Sequence, residues 1–262
     1  MDYSQNWELF LGVPHASVTN LEGVDPQSDG KKGTPLGVNN DPKQVFTMKK
    51  IDGEPVLHIS GEIYGALSSL DDYENYHLRL QFKWGEKKWE PRLNRLKDSG
   101  LLYHCQAPHG MFWNVWMQSQ EFQVQESDVG DFYALSTTQM EIPAARKPGE
   151  KEFNYQKGAQ RQLFSNADKT VPTHCNKGFD NENPHGEWNT LELICLGDQS
   201  LHIVNGKVVM ALFESKFATQ NGEIKSLTKG KIQIQSEGAE IFYKNIEIKP
   251  INSIPKQFLE QF

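Results

Sequence analysis

An acid and two amides stand at alternate positions in the segment SQEFQVQESDVGDFYAL: Glu121, Gln123 and Gln125. Because successive side chains of a β-strand point to opposite faces of its sheet, this spacing predicts that the three share one face. A carboxylate can accept hydrogen bonds from sugar hydroxyls or transfer a proton, and amides both donate and accept. The pattern therefore predicts the floor of a sugar-binding cleft, with a merely solvated edge as the alternative.

Histidine, arginine and glutamine recur on the outward faces of other predicted strands, where a solvated surface would carry more lysine and glutamate. These side chains are His77, Arg79, His104, His202 and Gln235. Imidazoles and amides are planar, directional donors and acceptors that suit a ligand rich in hydroxyl groups. We therefore expect a ligand-binding face, and polar pairing between strands is the alternative.

Aromatic residues gather just before the Glu121 strand, in the segment HGMFWNVWM. Phe112, Trp113 and Trp116 lie there in a polar, irregular context. Aromatic rings stack on the apolar faces of sugars, although they pack equally well in protein cores. The cluster predicts the rim of the cleft, with Trp113 and Trp116 as substrate-binding residues.

Composition excludes some classes of partner. The 262 residues carry a formal net charge of −7, whereas phosphate binding needs clustered Lys and Arg, so we expect no nucleic-acid partner. The most basic run, GEKKWEPRLNRLK, is interrupted by acids, Pro and Trp, which is typical of a solvated loop. No segment approaches the ~18–20 consecutive apolar residues of a membrane span.

The cysteines and the start of the chain bear on the cellular compartment. Cys105, Cys175 and Cys195 show no CxxC spacing, which leaves one disulfide or none as alternatives. The opening MDYSQNWELF lacks the basic and apolar regions of an export signal. We favour a periplasmic or extracytoplasmic protein whose export signal is absent from this sequence, and a cytoplasmic protein is the alternative.

Short alternating segments dominate the chain. YENYHLRLQFKW alternates apolar and polar residues, and Asn205-Gly206 predicts a hairpin because this dipeptide tolerates the positive φ angles of a type I′ turn. Many strands with one apolar face each predict an all-β fold, a two-sheet antiparallel β-sandwich with long loops. We expect a single domain over 1–262, with insertions at about 85–98 and 141–186.

Six segments follow one another along nearly the whole chain: WELFLG, YENYHLRLQFKW, DSGLLYH, QEFQVQESDVGDFYAL, GEWNTLELICLGDQSLHIVNGKVV and GKIQIQSEGAEIFYKNIEIKP. Together they resemble the 3-keto-disaccharide hydrolase domain family. Each segment is weakly specific alone, and their common order gives the resemblance its strength. The resemblance implies a jelly roll related to the concanavalin-like and laminarinase-like glycosidases.

Some residues depart from the pattern of that family. Asp98 stands where the family usually has Asn, and Glu237 where His is common. His104 stands where Arg is frequent, and Glu126 where Asp is common. The fold therefore transfers more safely than the role of any one residue.

The resemblance implies action on glycosides oxidised at C3, by removal of the C2 proton and loss of the C1 leaving group. Such a site needs a general base, an electrophile for the enolate oxygen and an acid for the leaving oxygen. Glu121 is the candidate base, or else a hydroxyl acceptor. His104 is the candidate acid, alternate base or metal ligand, because imidazole titrates near neutral pH. Arg79 would hold the enolate oxygen or pair with Glu121, so we expect these three side chains to converge.

The expected partner is a carbohydrate, either an oligosaccharide or a glycoside. The predicted substrate-binding residues are His77, Gln123, Gln125, Trp113, Trp116, His202 and Gln235. His77, His104 and His202 are candidate ligands of a divalent metal, although no HxH or HExxH spacing requires one. No cofactor is therefore certain from the sequence.

Two other functions compete with this prediction. A retaining β-glycosidase of the laminarinase type would use Glu121 and Glu126, but residues five apart on a strand share a face only across a β-bulge. A carbohydrate-binding module without catalysis is the second alternative, because similar sandwiches serve as lectins and fold does not fix function.

Overall fold

The computed structural model describes residues 5–262, which form many strands and one short helix. In chain order these are β1 (Trp7–Leu11), β2 (Gly37–Val38), β3 (Phe46–Ile51), β4 (Glu54–Ile59), β5 (Gly65–Ser69), β6 (Tyr76–Lys88), β7 (Asp98–Gln106), β8 (Gln118–Gln125), β9 (Phe132–Ala134), β10 (Thr138–Ala145), β11 (Asn154–Tyr155), β12 (Arg161–Ser165), β13 (His174–Cys175), β14 (Asn189–Leu196), β15 (Gln199–Val204), β16 (Lys207–Ala218), β17 (Ile224–Ser226), β18 (Lys231–Ser236), β19 (Ala239–Pro250) and α1 (Lys256–Leu259). No helix in this part of the chain is long and apolar enough to cross a membrane.

The strands form two antiparallel sheets. The smaller sheet has eight strands in the order β13-β9-β8-β7-β18-β5-β1-β2. The larger sheet has eleven strands, nine of them in the order β11-β10-β16-β15-β14-β6-β19-β4-β3, with β12 paired to β10 and β17 paired to β16. The two sheets pack face to face as a jelly-roll sandwich, which confirms the predicted all-β fold.

The hairpin predicted at Asn205-Gly206 is present between β15 and β16. Asn205 has φ 48° and Gly206 has φ 78°, so both central residues adopt the left-handed conformation of a type I′ turn. Val204 pairs directly with Lys207 across the turn. The dipeptide therefore sets the register of two strands of the larger sheet.

The space between the sheets is filled by the apolar face of each strand. Phe122 and Val124 of β8 are fully buried there, in one hydrophobic cluster with Leu191 and Leu193 of the other sheet. Burial of a side chain the size of Phe contributes about 2 kcal/mol to stability. Because β8 alternates, Glu121, Gln123 and Gln125 must point to the opposite face of the smaller sheet.

The two predicted insertions contain more regular structure than the sequence suggested. Residues 85–88 continue β6, and 89–97 form a loop that returns to β7. The second stretch, 141–186, begins with the end of β10 and contains β11, β12 and β13. The short strands β11 and β12 both pair with β10, so this region extends the larger sheet at one edge.

Candidate active site

A cavity of about 300 Å³ lies on the outer face of the smaller sheet, where β7, β8, β9 and β18 run side by side. Antiparallel pairing sets its floor: Asp98 pairs with Gln125, Gly100 with Gln123, and Leu102 with Glu121. Paired residues of neighbouring strands face the same side of a sheet, so these side chains share the outer face. The polar and charged lining residues are Arg92, Asp98, Glu121, Gln123, Gln125, Asn166, Thr173, Gln235 and Glu237, and the apolar and aromatic ones are Phe112, Trp113, Trp116, Tyr133, Ala134 and Leu135.

Glu121 stands at the middle of this floor, and a glycine makes room for it. A Cβ atom placed on Gly100 would lie 2.4 Å from Glu121 Oε1 and 2.1 Å from Gln235 Oε1. Both distances are far below van der Waals contact, so only glycine lets the acid and the amide meet over β7. Glu121 is only 6% exposed, and it makes no ion pair with any residue in the range 5–262.

Arg92 enters the cavity from the loop 89–97 and bridges two acids. It forms an ion pair with Asp98, and its Nη1 lies 3.4 Å from Glu237 Oε1. Its Nη2 also donates a hydrogen bond of 2.6 Å to Gln125 Oε1. The aliphatic part of the Arg92 side chain packs on Gly238, where a Cβ would come within 3.0 Å of Arg92 Cβ. The cavity therefore holds three carboxyl groups and one guanidinium.

Burial raises the pKa of all three carboxyl groups. The pKa of Glu237 rises to about 7 because burial disfavours its charge, although Arg92 and Lys31 oppose the effect. Burial also raises the pKa of Glu121 and of Asp98 well above their usual range, and the negative charge of Glu237 adds to both effects. Arg92 opposes these shifts without cancelling them. Perturbed carboxyl groups in a cavity are typical of sites that transfer protons.

Aromatic side chains form one wall and the rim. Trp116 is buried and donates its indole N–H to the Gly65 carbonyl at 3.1 Å. Trp113 is 38% exposed and stacks on Phe112, with ring centroids 4.9 Å apart. Lys31 Nζ lies 3.3 Å from the centroid of the Trp113 ring. The rim thus combines indole surface with a lysine ammonium group.

Tyr133 closes the cavity on the β9 side. It pairs with Glu121 across β8 and β9, and its ring stacks on His174 at 4.2 Å. Burial raises the pKa of the Tyr133 hydroxyl, and the charge of Glu121 adds to this. The hydroxyl therefore remains protonated at neutral pH and can donate a hydrogen bond.

Six residues expected in the cleft do line this one cavity: Glu121, Gln123, Gln125, Trp113, Trp116 and Gln235. The fold thus brings the three alternating residues of β8 together with the aromatic residues that precede them in the chain. Their roles in binding or catalysis stay predictions, because the geometry fixes only their location.

The expected convergence of Arg79 with Glu121 is wrong. Arg79 belongs to β6, in the larger sheet, and its side chain is exposed on that sheet's outer face. His77, on the same face, donates its Nε2–H to Glu192 Oε2 at 2.7 Å and packs edge-on against Phe258 of α1. The whole thickness of the sandwich separates both side chains from the cavity.

His104 and His202 also lie outside the cavity, inside the core. The pairing of β7 with β8 shifts register between Tyr103 and Gln106, and His104 has φ 52°. This bulge breaks the alternation that would have put His104 on the outer face. Its ring instead packs edge-on against Tyr103 and Tyr76, and burial lowers its pKa to about 4.

His202 points inward from β15 and stacks on Phe122, with ring centroids 4.2 Å apart. Its Nδ1 lies 2.9 Å from the Gly130 carbonyl, to which it donates, and its Nε2 lies 3.2 Å from the Tyr103 hydroxyl. Burial lowers the pKa of His202 to about 3, so the ring is neutral. His202 therefore contacts β8 from the core side of the smaller sheet and does not reach the cavity.

The three histidines considered as metal ligands therefore lie in separate places. Over residues 5–262, no group of three or more His, Cys, Asp or Glu side chains is arranged to hold a metal ion. The three cysteines, all within this range, are buried and form no disulfide with one another.

Four ionisable cavity residues were not among the predicted site residues: Arg92, Asp98, Tyr133 and Glu237. Asp98 and Glu237 carried a signal, because both replace a different residue type in segments that resemble the family. Arg92 lies in the basic run that the sequence assigned to a solvated loop, and only the course of 89–97 brings it to the cavity.

A cavity that combines buried carboxyl groups, amides and indole rings offers the donors, acceptors and apolar surface that a sugar ligand needs. A match to a family model, the 3-keto-alpha-glucoside-1,2-lyase-like domain, covers residues 22–249. The chain therefore belongs to this family and is a glycosyl hydrolase-like, carbohydrate-active protein.

The chain is also similar to several solved structures. A candidate glycosyl hydrolase from Parabacteroides distasonis is 21% identical, with a TM-score of 0.47, over 78% of this chain and 90% of the other. The carbohydrate binding module CBM66 from Bacillus subtilis is 9% identical, with a TM-score of 0.43, over 78% of this chain and 91% of the other. A β-glucanase from Bacillus licheniformis is 14% identical, with a TM-score of 0.35, over 79% of this chain and 81% of the other. None of the curated proteins compared with the chain matches it.

Proposed function

We propose that the protein cleaves 3-keto-glycosides by removing the C2 proton and expelling the C1 substituent. The observation that carries the proposal is the position of Glu121: a buried carboxyl group at the centre of the cavity floor, without an ion-pair partner among the described residues. Membership of the 3-keto-alpha-glucoside-1,2-lyase-like family supports the choice of substrate.

Glu121 is the general base in this proposal. A ketone at C3 acidifies the C2 proton, so a carboxylate is basic enough to remove it. Burial raises the pKa of Glu121, and this makes its carboxylate a stronger base than an exposed one. As the base takes the proton, the C2–H electron pair forms a C2=C3 double bond and the C3 oxygen becomes an enolate.

Arg92 holds the enolate oxygen in this proposal, the role predicted for Arg79. Its guanidinium lies in the same cavity as Glu121, and its Nε is buried without a hydrogen-bond partner in the described chain. A preorganised donor aimed at developing negative charge is usually worth ~10²–10³-fold in rate. Arg92 remains charged throughout, because its pKa is raised by Asp98 and Glu237 against the effect of burial.

Glu237 is the acid that protonates the leaving group. With a pKa of about 7, a large fraction of its carboxyl groups carries a proton at neutral pH. The enolate re-forms the C3 carbonyl, its electrons make a C1=C2 double bond, and the C1–O bond breaks. The departing oxygen takes the electron pair of that bond and a proton from Glu237. Addition of water across C1=C2 then gives the free 3-keto sugar.

The test compares the wild-type protein with Glu121→Gln on a panel of plain glycosides and their 3-keto derivatives. We expect turnover of the 3-keto compounds by the wild type and a loss of ~10²–10⁴-fold in the variant, the range for a missing general base. In deuterated buffer, wild-type protein should exchange the C2 proton of a 3-keto-glycoside for deuterium, which NMR detects directly.

Glu126→Gln is the matched control. Glu126 follows the same strand, but it lies beside His185 at 3.8 Å, in a different hollow from the cavity. The Glu126→Gln variant should turn over 3-keto-glycosides at the rate of the wild type. Turnover restricted to plain glycosides, or unchanged C2 exchange in Glu121→Gln, would contradict the proposal. Sugar binding without turnover of any compound would favour a binding module instead.

A conventional glycosidase is the second candidate function, but its two acids would not be Glu121 and Glu126. The pairing of β8 with β7 is regular from Gln120 to Gln125, so no bulge brings Glu126 to the side of Glu121. Glu237 shares the cavity with Glu121, and its raised pKa suits a general acid. This pair would act on plain glycosides, which the same panel detects.

A further inference from the structure

The cavity contains more acidic groups than basic ones. Asp98, Glu121 and Glu237 are each at most 6% exposed, and Arg92 is the basic side chain that lines the same space. Lys31 adds a second cation at the rim, where it interacts electrostatically with Glu237. Three carboxyl groups therefore share this space with two cations, and burial raises the pKa of all three. A bound cation would favour their ionised forms, whereas a neutral sugar would not.

Two acceptor atoms on residues that line the cavity have no donor in the described chain. Asp98 Oδ1 and Gln235 Oε1 are buried, and neither has a hydrogen-bond partner in the part of the chain that the structure describes. Buried polar atoms are nearly always paired in proteins, so unpaired ones that line a cavity point to a ligand. Both atoms are acceptors, and the ligand group that meets them must donate.

The aromatic wall suits a cation. Ammonium groups bind over indole faces within about 6 Å, most strongly over Trp. The protein itself already makes such a contact at the rim, because Lys31 Nζ lies 3.3 Å from the Trp113 centroid. An ammonium group can thus be held between the aromatic surface and the acidic side of this cavity.

From these observations we propose that the natural ligand carries a protonated amine, on an amino sugar or on the aglycone of a glycoside. Its N–H groups would donate to Asp98 Oδ1 and Gln235 Oε1, and its charge would offset the excess of carboxylates.

The amine would also assist the proposed elimination. The enolate forms in the same cavity as Asp98, whose carboxylate already pairs with the arginine that holds the enolate oxygen. An ammonium group bound beside the enolate lowers the repulsion between these two negative charges. For turnover the inference rests on the proposed function, but ligand binding can be measured separately.

The experiment is titration calorimetry with unoxidised ligands, which avoids turnover of 3-keto compounds. The ligands are methyl α-glucoside, methyl 2-amino-2-deoxy-α-glucoside, its N-acetyl derivative and 2-aminoethyl α-glucoside. We expect an aminated ligand to bind about tenfold or more tightly than methyl α-glucoside, as one charge-assisted hydrogen bond provides. N-acetylation should abolish the gain, and the two amines separate a ring amine from an aglycone amine.

Asp98→Asn tests the assignment within the cavity. It removes one negative charge and keeps the shape of the side chain, so the preference for the amine should fall about tenfold. Glu126→Gln, outside the cavity, should keep the full preference. Thermal unfolding of each variant confirms that it is folded.

Equal affinity for aminated and neutral glycosides, no detectable binding of either amine, or an undiminished preference in folded Asp98→Asn would each overturn the inference. These outcomes leave the C2 exchange experiment untouched. A protein that turns over neutral 3-keto-glycosides but ignores amines retains the proposed function and loses only the charged ligand.

Discussion

Glu237→Gln should make the protein more stable at neutral and alkaline pH. Glu237 has a pKa of about 7 in the folded protein, against an ordinary value of 4.5, because burial disfavours its charge. The folded state therefore keeps this proton while the unfolded chain has already released it. Below pH 4.5 both states are protonated and Glu237 contributes nothing to the pH dependence. As the pH rises from about 4.5 to about 7, the free energy of unfolding must fall.

The size of this effect follows from the same pKa difference. Each pKa step is worth about 1.4 kcal/mol, so ionising Glu237 in the folded protein costs up to about 3 kcal/mol above pH 7. Glutamine resembles the protonated acid and avoids this cost. The variant should match the wild type at pH 4 and exceed its stability by up to about 3 kcal/mol at pH 8.

Urea unfolding followed by tryptophan fluorescence measures this difference at pH 4, 5, 6, 7 and 8 at constant ionic strength. Glu240→Gln is a control of opposite sign. The pKa of Glu240 is lowered, because hydrogen bonds from His58 and the backbone of Lys87 and Glu86 outweigh its burial. That variant should lose stability at neutral pH and approach the wild type in acid. Stability curves of Glu237→Gln that run parallel to the wild type at every pH would refute the reasoning.

Further expectations concern the cavity. The rate on 3-keto-glycosides should fall as the pH rises through about 7, because Glu237 then loses the proton it donates. The Glu237→Gln variant should be slower, and its rate should not show this decline. A decline with the same midpoint in the variant would mean that another group causes it. Gly100→Ala places a Cβ 2.4 Å from Glu121 Oε1, so we expect a loss of about 1–3 kcal/mol in urea unfolding and a rate at least tenfold lower; a variant with normal rate and stability would contradict the close approach. Arg92→Lys keeps the charge but not the planar fork, and kcat should fall ~10²-fold or more with a smaller change in KM; an unchanged kcat would remove Arg92 from the reaction. Trp113→Ala should weaken sugar binding by about 3–10-fold in calorimetry, and unchanged affinity would show that its exposed ring does not touch the ligand.

The residues of β8 could be predicted from the sequence because strict alternation determines which side of a strand a residue faces. Glu121, Gln123 and Gln125 share the cavity floor, as their spacing predicted. Alternation does not reveal which sheet a strand joins. Arg79 follows an equally clean pattern, but its strand belongs to the opposite sheet, and so a correct local prediction gave a wrong neighbour.

The predicted position of His104 was wrong for a different reason. Its strand is paired regularly up to Tyr103, and one bulge then turns the next side chain into the core. Nothing in the spacing of SGLLYHCQ indicates that bulge. Arg92 could not be found either, because a loop of nine residues carries it across the face of the sheet, and sequence patterns say nothing about where such a loop ends.

The cavity draws its parts from two kinds of structure, and this affects how such a protein can change. Glu121 and Gln235 are fixed by the hydrogen-bonded ladder of β7, β8 and β18, whose back surface is the hydrophobic interior. Lys31, Arg92 and Trp113 come from three separate connections between strands. Mutation can change the length or the charge of those connections, and so present a different ligand to the same buried carboxyl group. Diversification of substrate range therefore needs no rearrangement of the scaffold, and relatives should differ most in these three connections.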